Sequence, residues 1–176
     1  MDDLIRKERI LAVDPSTRAI GWAIFEGCRY VKSGSARDTN RFGELLYREG
    51  RFSTVVIESV YLKMNVATAM RLTEVATTCA VLAQIRNPGA EVFKIAASAW
   101  QARQLRVGHK TKRVDRKRLS ILVAREIARR DVTEDEADAI NLGDYFIRYG
   151  GIHGSTQGPG APAAGKKAKG DKGSLR

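Results

Sequence analysis

The chain has 176 residues, 43% of them hydrophobic, enough for one globular domain with its own core. No uninterrupted apolar run approaches the roughly 18 residues of a membrane-spanning helix, and the opening Met1-Asp2-Asp3-Leu4-Ile5-Arg6-Lys7 holds no apolar signal region. Lys and Arg outnumber Asp and Glu by 31 to 20, a formal net charge of +11 at pH 7, which favours a polyanionic partner such as nucleic acid and sets a membrane partner aside.

Arg9 to Asp14 reads as a strand, because Ile10, Leu11, Ala12 and Val13 form the continuous apolar run of a strand buried on both faces. Pro15-Ser16-Thr17 makes a turn, Ile20 to Phe25 is a second strand, and Glu26-Gly27 signals a hairpin into a third, Arg29 to Ser33. Arg41 to Arg48 reads as a helix with Phe42, Leu45 and Leu46 on one side. Thr54 to Glu58 is again a buried strand, and it needs a crossover to run parallel to the first.

A long helix then runs from about Asn65 to Arg86 and stops at Asn87-Pro88-Gly89. Its inward positions are mostly small (Ala67, Ala69, Ala76, Ala80, Ala83), which suits close helix packing or a partner surface. Glu91 to Ile95 is a short strand, Ala97 to Leu105 a short helix, and Val107 to Arg113 a basic loop. Two helices follow, about Asp115 to Arg130 and Thr133 to Arg148, the second opened by a capping box of Thr133 with Glu136. From Gly151 the composition turns to Gly, Ala and Pro with Lys166, Lys167 and Lys169, so residues 151–176 are expected to be a disordered basic tail on a domain of residues 1–150. Cys28 and Cys79 stand without metal-ligand spacing and are expected to be reduced, as in a cytoplasmic protein.

Four acids fall at the ends of these elements. Asp14 closes the first strand, Glu58 closes the fourth, and Asp135 and Asp138, three apart, share a face of the last helix. A charge at the end of a buried strand is expensive unless a cation compensates it. Hard oxygen ligands suit magnesium, with manganese as a substitute, and no His/Cys cluster points to zinc. Two such ions, roughly 3.5–4 Å apart, can activate a water and stabilise the leaving oxygen when a phosphodiester is cut. Asp14 is then the expected bridging ligand, with Glu58, Asp135 and Asp138 completing the set. Ordinary readings exist beside this one: a turn-forming Asp before Pro15, a surface carboxylate at Glu58, and first-turn acids that complement a helix dipole at Asp135. A second, basic element comprises Arg103, Arg106, Lys110, Lys112, Arg113, Arg116, Lys117 and Arg118, suited to phosphate contacts or simply to a solvated face. His109 within it reads more readily as an exposed loop residue than as a base.

Three antiparallel strands, then βαβ units, then helices define an α/β fold: a mixed five-stranded sheet with helices on both faces, in the order of the ribonuclease H-like fold. The motifs make the resemblance specific. Ile10-Leu11-Ala12-Val13-Asp14-Pro15-Ser16-Thr17-Arg18 with Gly21-Trp22 resembles the opening motif of the RuvC family of Holliday-junction resolvases. Ile57-Glu58-Ser59-Val60-Tyr61 with Asn65 resembles its second motif, and Asp135-Glu136-Ala137-Asp138-Ala139 its third. The match spans about residues 9 to 148. Ser16 departs from it, since a Gly is usual there, in the manner of phage-encoded members.

This resemblance implies a homodimer that makes paired, magnesium- or manganese-dependent incisions at four-way or otherwise branched DNA. It also implies an aromatic at Tyr61 stacking on an unpaired base, and functional cations at Arg103 and Arg116, or at Lys112 or Arg113 in the longer loop, with Lys110 and Lys117 beside them. Two other readings stay open: a ribonuclease H-like enzyme that trims ribosomal RNA precursors, and a module that binds branched DNA without cutting it.

Overall fold

The computed structural model describes residues 8–60, 65–108 and 110–150. Tyr61, His109 and the basic tail therefore lie outside the described residues. Five strands form one sheet: β1 (Arg9–Asp14), β2 (Ile20–Glu26), β3 (Arg29–Ala36), β4 (Thr54–Ser59) and β5 (Glu91–Ala96), in the spatial order β3-β2-β1-β4-β5. The first three pair antiparallel, whereas β4 runs parallel to both β1 and β5. The sheet is therefore mixed, as its sequence order requires.

Alternation along the strands divides the core in two. Leu11, Val13, Val55 and Ile57 face one side, where α1 (Thr39–Glu49) and α2 (Val66–Arg86) cover them with Phe42, Leu46, Cys79 and Ala83. Ile10, Ala12, Phe25 and Val56 face the other side, under α3 (Ala97–Gln104), α4 (Arg113–Ala128) and α5 (Glu134–Tyr145). By length and composition α2 could cross a membrane, but Cys79, Ala80 and Ala83 in its second half are buried in the core.

The structure refines several boundaries. Strand β3 continues past Ser33 to Ala36, because pairing with β2 carries weak strand formers such as Gly34 and Ser35 along. Helix α1 begins earlier than its apolar pattern, at Thr39, since the Asp38 side chain accepts from the Arg41 N–H at 2.8 Å and caps it. Helix α4 starts at Arg113, so that arginine belongs to the helix and not to the loop before it. The final helix is α-helical only to Tyr145, after which Phe146–Gly150 widens into a π-turn.

Close approach of α5 to the sheet positions everything that follows. A β-carbon on Gly143 would lie 2.2 Å from the Phe25 ring and 3.0 Å from the Ala12 β-carbon, so only glycine lets the helix sit this low. At its start the Thr133–Glu136 capping box is present, and Glu136 also takes an ion pair from Arg130 at 2.6 Å and a hydrogen bond from Ser33 at 2.9 Å. The middle acid of Asp135-Glu136-Ala137-Asp138 is therefore a structural clamp.

Candidate active site

Val13 and Ile57 form the last pair between β1 and β4, and Asp14 and Glu58 are the next residue on each strand. Alternation aims both toward α5, on the side of Ala12 and Val56. Helix α5 brings Asp135 and Asp138 to the same place, and all four carboxylates line one cavity of about 340 Å³ with Ser16 and Glu134. Its basic wall comes from the first turns of α4, as Arg113, Arg116 and Lys117.

Two of the four carboxylates are tethered. The buried Trp100 indole N–H donates to Glu58 Oε2 at 2.7 Å, and Ser120 Oγ donates to Asp138 Oδ1. Ser120 is itself fixed by Asn141, whose side-chain amide donates to the Ser120 carbonyl and hydroxyl oxygens, both at 2.9 Å. A chain of three side chains thus runs from the buried interior of α5, through α4, and back to Asp138. Asp14 and Asp135, by contrast, accept no hydrogen bond from another described side chain. Lys117 pairs with Glu134, and Arg116 donates to Gln101 Oε1 at 3.4 Å.

The electrostatics follow from crowding acids in a partly dry place. Burial first, then the charges of Glu58, Asp138, Asp135 and Glu134, push the Asp14 carboxyl well above the ordinary carboxylate range. Burial pushes Glu58 up to about 7, with Asp138 adding to the effect and the Trp100 hydrogen bond opposing it. Burial also raises Asp138, against the pull of Ser120, and raises Asp135, with Glu134 adding to it. Uncompensated, this cluster resists being fully ionised at neutral pH. Among the described residues no three His, Cys, Asp or Glu side chains are grouped closely enough, as placed, to hold one ion.

The predicted basic element is divided by the fold. Arg113, Arg116 and Lys117 face the carboxylates, while Lys110 and Lys112 are exposed and do not line the cavity. Arg103 points away from it, over the Tyr149 ring at 4.8 Å, into a different cleft. Trp100, Ser120 and Asn141 went unmarked in the sequence. A lone buried Trp carries no chemical pattern, and the Ser120–Asn141 bond joins residues twenty-one apart on two helices.

No protein-family model matches the chain, and no curated protein matches its sequence. Solved structures do match its backbone. Thermus thermophilus RuvC in complex with a Holliday junction substrate superposes with a TM-score of 0.62 at 14% identity, over 81% of this chain and 96% of that one. A second structure of Thermus thermophilus RuvC gives 0.59 at 15% identity, with the same coverage. The chain thus has a ribonuclease H-like α/β fold. Within that class its backbone arrangement is similar to that of RuvC over 81% of the chain.

Proposed function

We propose that this protein is a metal-dependent, structure-selective endonuclease that resolves Holliday junctions and related branched DNA by paired nicks. The observation that carries the proposal is the set Asp14, Glu58, Asp135 and Asp138, drawn from β1, β4 and α5 to one cavity whose far wall is Arg113, Arg116 and Lys117. Four clustered carboxylates repel phosphate, so binding alone gains nothing from them. Backbone similarity to a RuvC bound to a Holliday junction supports the choice of substrate.

The donor set fits a hard divalent cation. All four groups offer oxygen only, and Asp14 is buried among like charges without a protonated partner among the described residues. Asp14, Glu58, Asp135 and Asp138 would hold the metal, magnesium or manganese, two ions per site. When bound, such ions supply Lewis-acid activation of water and charge stabilisation at the leaving oxygen. The chain's own residues do the rest. Trp100 and Ser120 fix Glu58 and Asp138, while Arg113, Arg116 and Lys117 hold the phosphodiester against the acidic floor by charge-assisted hydrogen bonds.

Paired nicks require two sites, and the reading therefore includes a homodimer. Helix α2 supports it, since Val66, Met70, Val81 and Ile85 stand exposed along it and Val66, Ala69, Met70 and Thr73 line an apolar hollow. The deciding experiment compares end-labelled four-way junction, linear duplex and structured RNA, each with and without magnesium, with Asp14→Asn as control. Symmetric magnesium-dependent nicks confined to the junction are expected. Cleavage of RNA alone, or tight junction binding without product, overturns the proposal.

A further inference from the structure

A second cleft lies away from the carboxylates. It encloses about 760 Å³ between the β2–β3 hairpin, the end of α3, the second half of α4 and the π-turn. The buried Leu105 lines both this cleft and the carboxylate cavity, so the two lie on either side of the end of α3.

Five arginines line it: Arg29, Arg103, Arg106, Arg129 and Arg148. Two of them are neutralised locally, Arg29 by Glu26 at 3.5 Å and Arg148 by Asp144 at 2.7 Å. Arg103 sits over the Tyr149 ring, 4.8 Å from its centroid. Arg106 and Arg129 make no ion pair with a described carboxylate. Those same two are also the non-glycine residues that the described backbone holds at positive φ, 53° and 57°. A β-carbon disfavours that conformation, and glycine is the residue that relieves it. Two independent chain reversals, after α3 and after α4, thus each place a long cation where the backbone alone prefers glycine. They aim at one cleft.

We propose that this arginine cleft is a second nucleic-acid site, binding the phosphate backbone of a duplex arm of the substrate as that arm leaves the carboxylate cavity. A guanidinium presents a planar fork of donors matched to phosphate oxygens, and Arg103 stacked on Tyr149 is already ordered for such a contact. The cleft reads no base sequence; it measures where the arm lies, and so favours a bent or branched substrate over a straight one. The site rests on the nuclease reading for the identity of the strand that enters it, but its binding can be measured without cleavage.

The test uses full-length protein carrying Asp14→Asn, without divalent metal, and a fluorescein-labelled four-way DNA junction titrated across a series of salt concentrations. Glycine at both positions (Arg106→Gly with Arg129→Gly) removes two charges while suiting the backbone, so the variant keeps its fold. Each lost phosphate contact lowers the slope of log K against log salt by about 0.9, and the double variant is expected to lose about 1.8. The paired Arg106→Lys, Arg129→Lys variant keeps the charge and is expected to keep the slope. An unchanged slope in the glycine variant, or an equal loss in the lysine variant, overturns the proposal. Junction cleavage by the unmodified chain is scored separately: its absence sinks the nuclease reading and leaves the slope to decide the cleft.

Discussion

Gly21 and Asp135 are bound by an exclusion: a β-carbon on Gly21 would lie 2.0 Å from the Asp135 carbonyl oxygen. Gly21 is also the antiparallel partner of Asp14. The absent side chain therefore sets the height of α5 over the strand that carries the first carboxylate. Gly21→Ala is expected to lift the first turn of α5 and move Asp135 and Asp138 together. Overpacking of this kind costs about 1–3 kcal/mol, read as a fall in Tm. Misplacing the carboxylates by an ångström should reduce junction cleavage on the order of 100-fold. Unaltered cleavage would show that α5 tolerates the shift.

Trp100→Phe keeps an aromatic ring in the core and deletes the hydrogen bond to Glu58. That bond favours the ionised carboxylate, so its loss raises the Glu58 pKa further from about 7. The acid limb of the pH–rate profile should move to higher pH, with little change at the alkaline plateau. A profile that falls uniformly at every pH would assign Trp100 a packing role alone.

The acids of α5 separate by function. Ser120→Ala releases Asp138 and is expected to lower activity about 10–100-fold, as loss of a group that orients a metal ligand commonly does. Glu136→Ala breaks the capping box and the pair with Arg130, and is expected to lower stability by about 1–2 kcal/mol while kcat holds. Chemical denaturation beside junction cleavage reads both, and a reversal of the two patterns would exchange the roles.

Stability should depend on pH in an unusual direction. Asp14, Glu58 and Asp138 are all raised by the fold, so between the unfolded and folded pKa values the native chain binds more protons than the unfolded one. The Glu58 contribution is full below its ordinary value of 4.5 and is lost as pH rises through about 7, and those of Asp14 and Asp138 decline in the same direction. Glu58→Gln should flatten that decline, measured as Tm against pH. Magnesium added at about pH 8 should restore Tm by binding the folded state, and less so in Asp14→Asn. Equal magnesium shifts in both proteins would remove Asp14 from the ligand set.

Met70→Glu places a charge on the exposed apolar ridge of α2. Sedimentation of the unmodified chain should give a dimer and the variant a monomer, with nicks then falling singly. A monomer in both cases would separate α2 from the proposed pairing of incisions.

The sheet was legible because Ile10–Val13 and Val55–Ile57 are continuous apolar runs, and a strand buried on both faces needs them. The four carboxylates were legible because each ends such a run or shares a helical face. Arg103 falls outside the carboxylate cavity for a geometric reason: it lies three residues beyond Trp100, and α3 turns its side chain to a different cleft from Gln101. Trp100, Ser120 and Asn141 stayed hidden because each acts across a tertiary contact with no signature in local spacing. Gly21 was visible only as part of a motif, since the backbone it admits belongs to residue 135.

Helix α5 is the last α-helix of the described chain, and it supplies two of the four carboxylates. A polypeptide that stops between Ser59 and Glu134 includes Asp14 and Glu58, yet it lacks the wall that closes the cavity. No N-terminal fragment that ends before Asp138 carries the whole set. The acidic set is thereby completed only when α5 is made, so any activity that needs all four carboxylates waits on that helix.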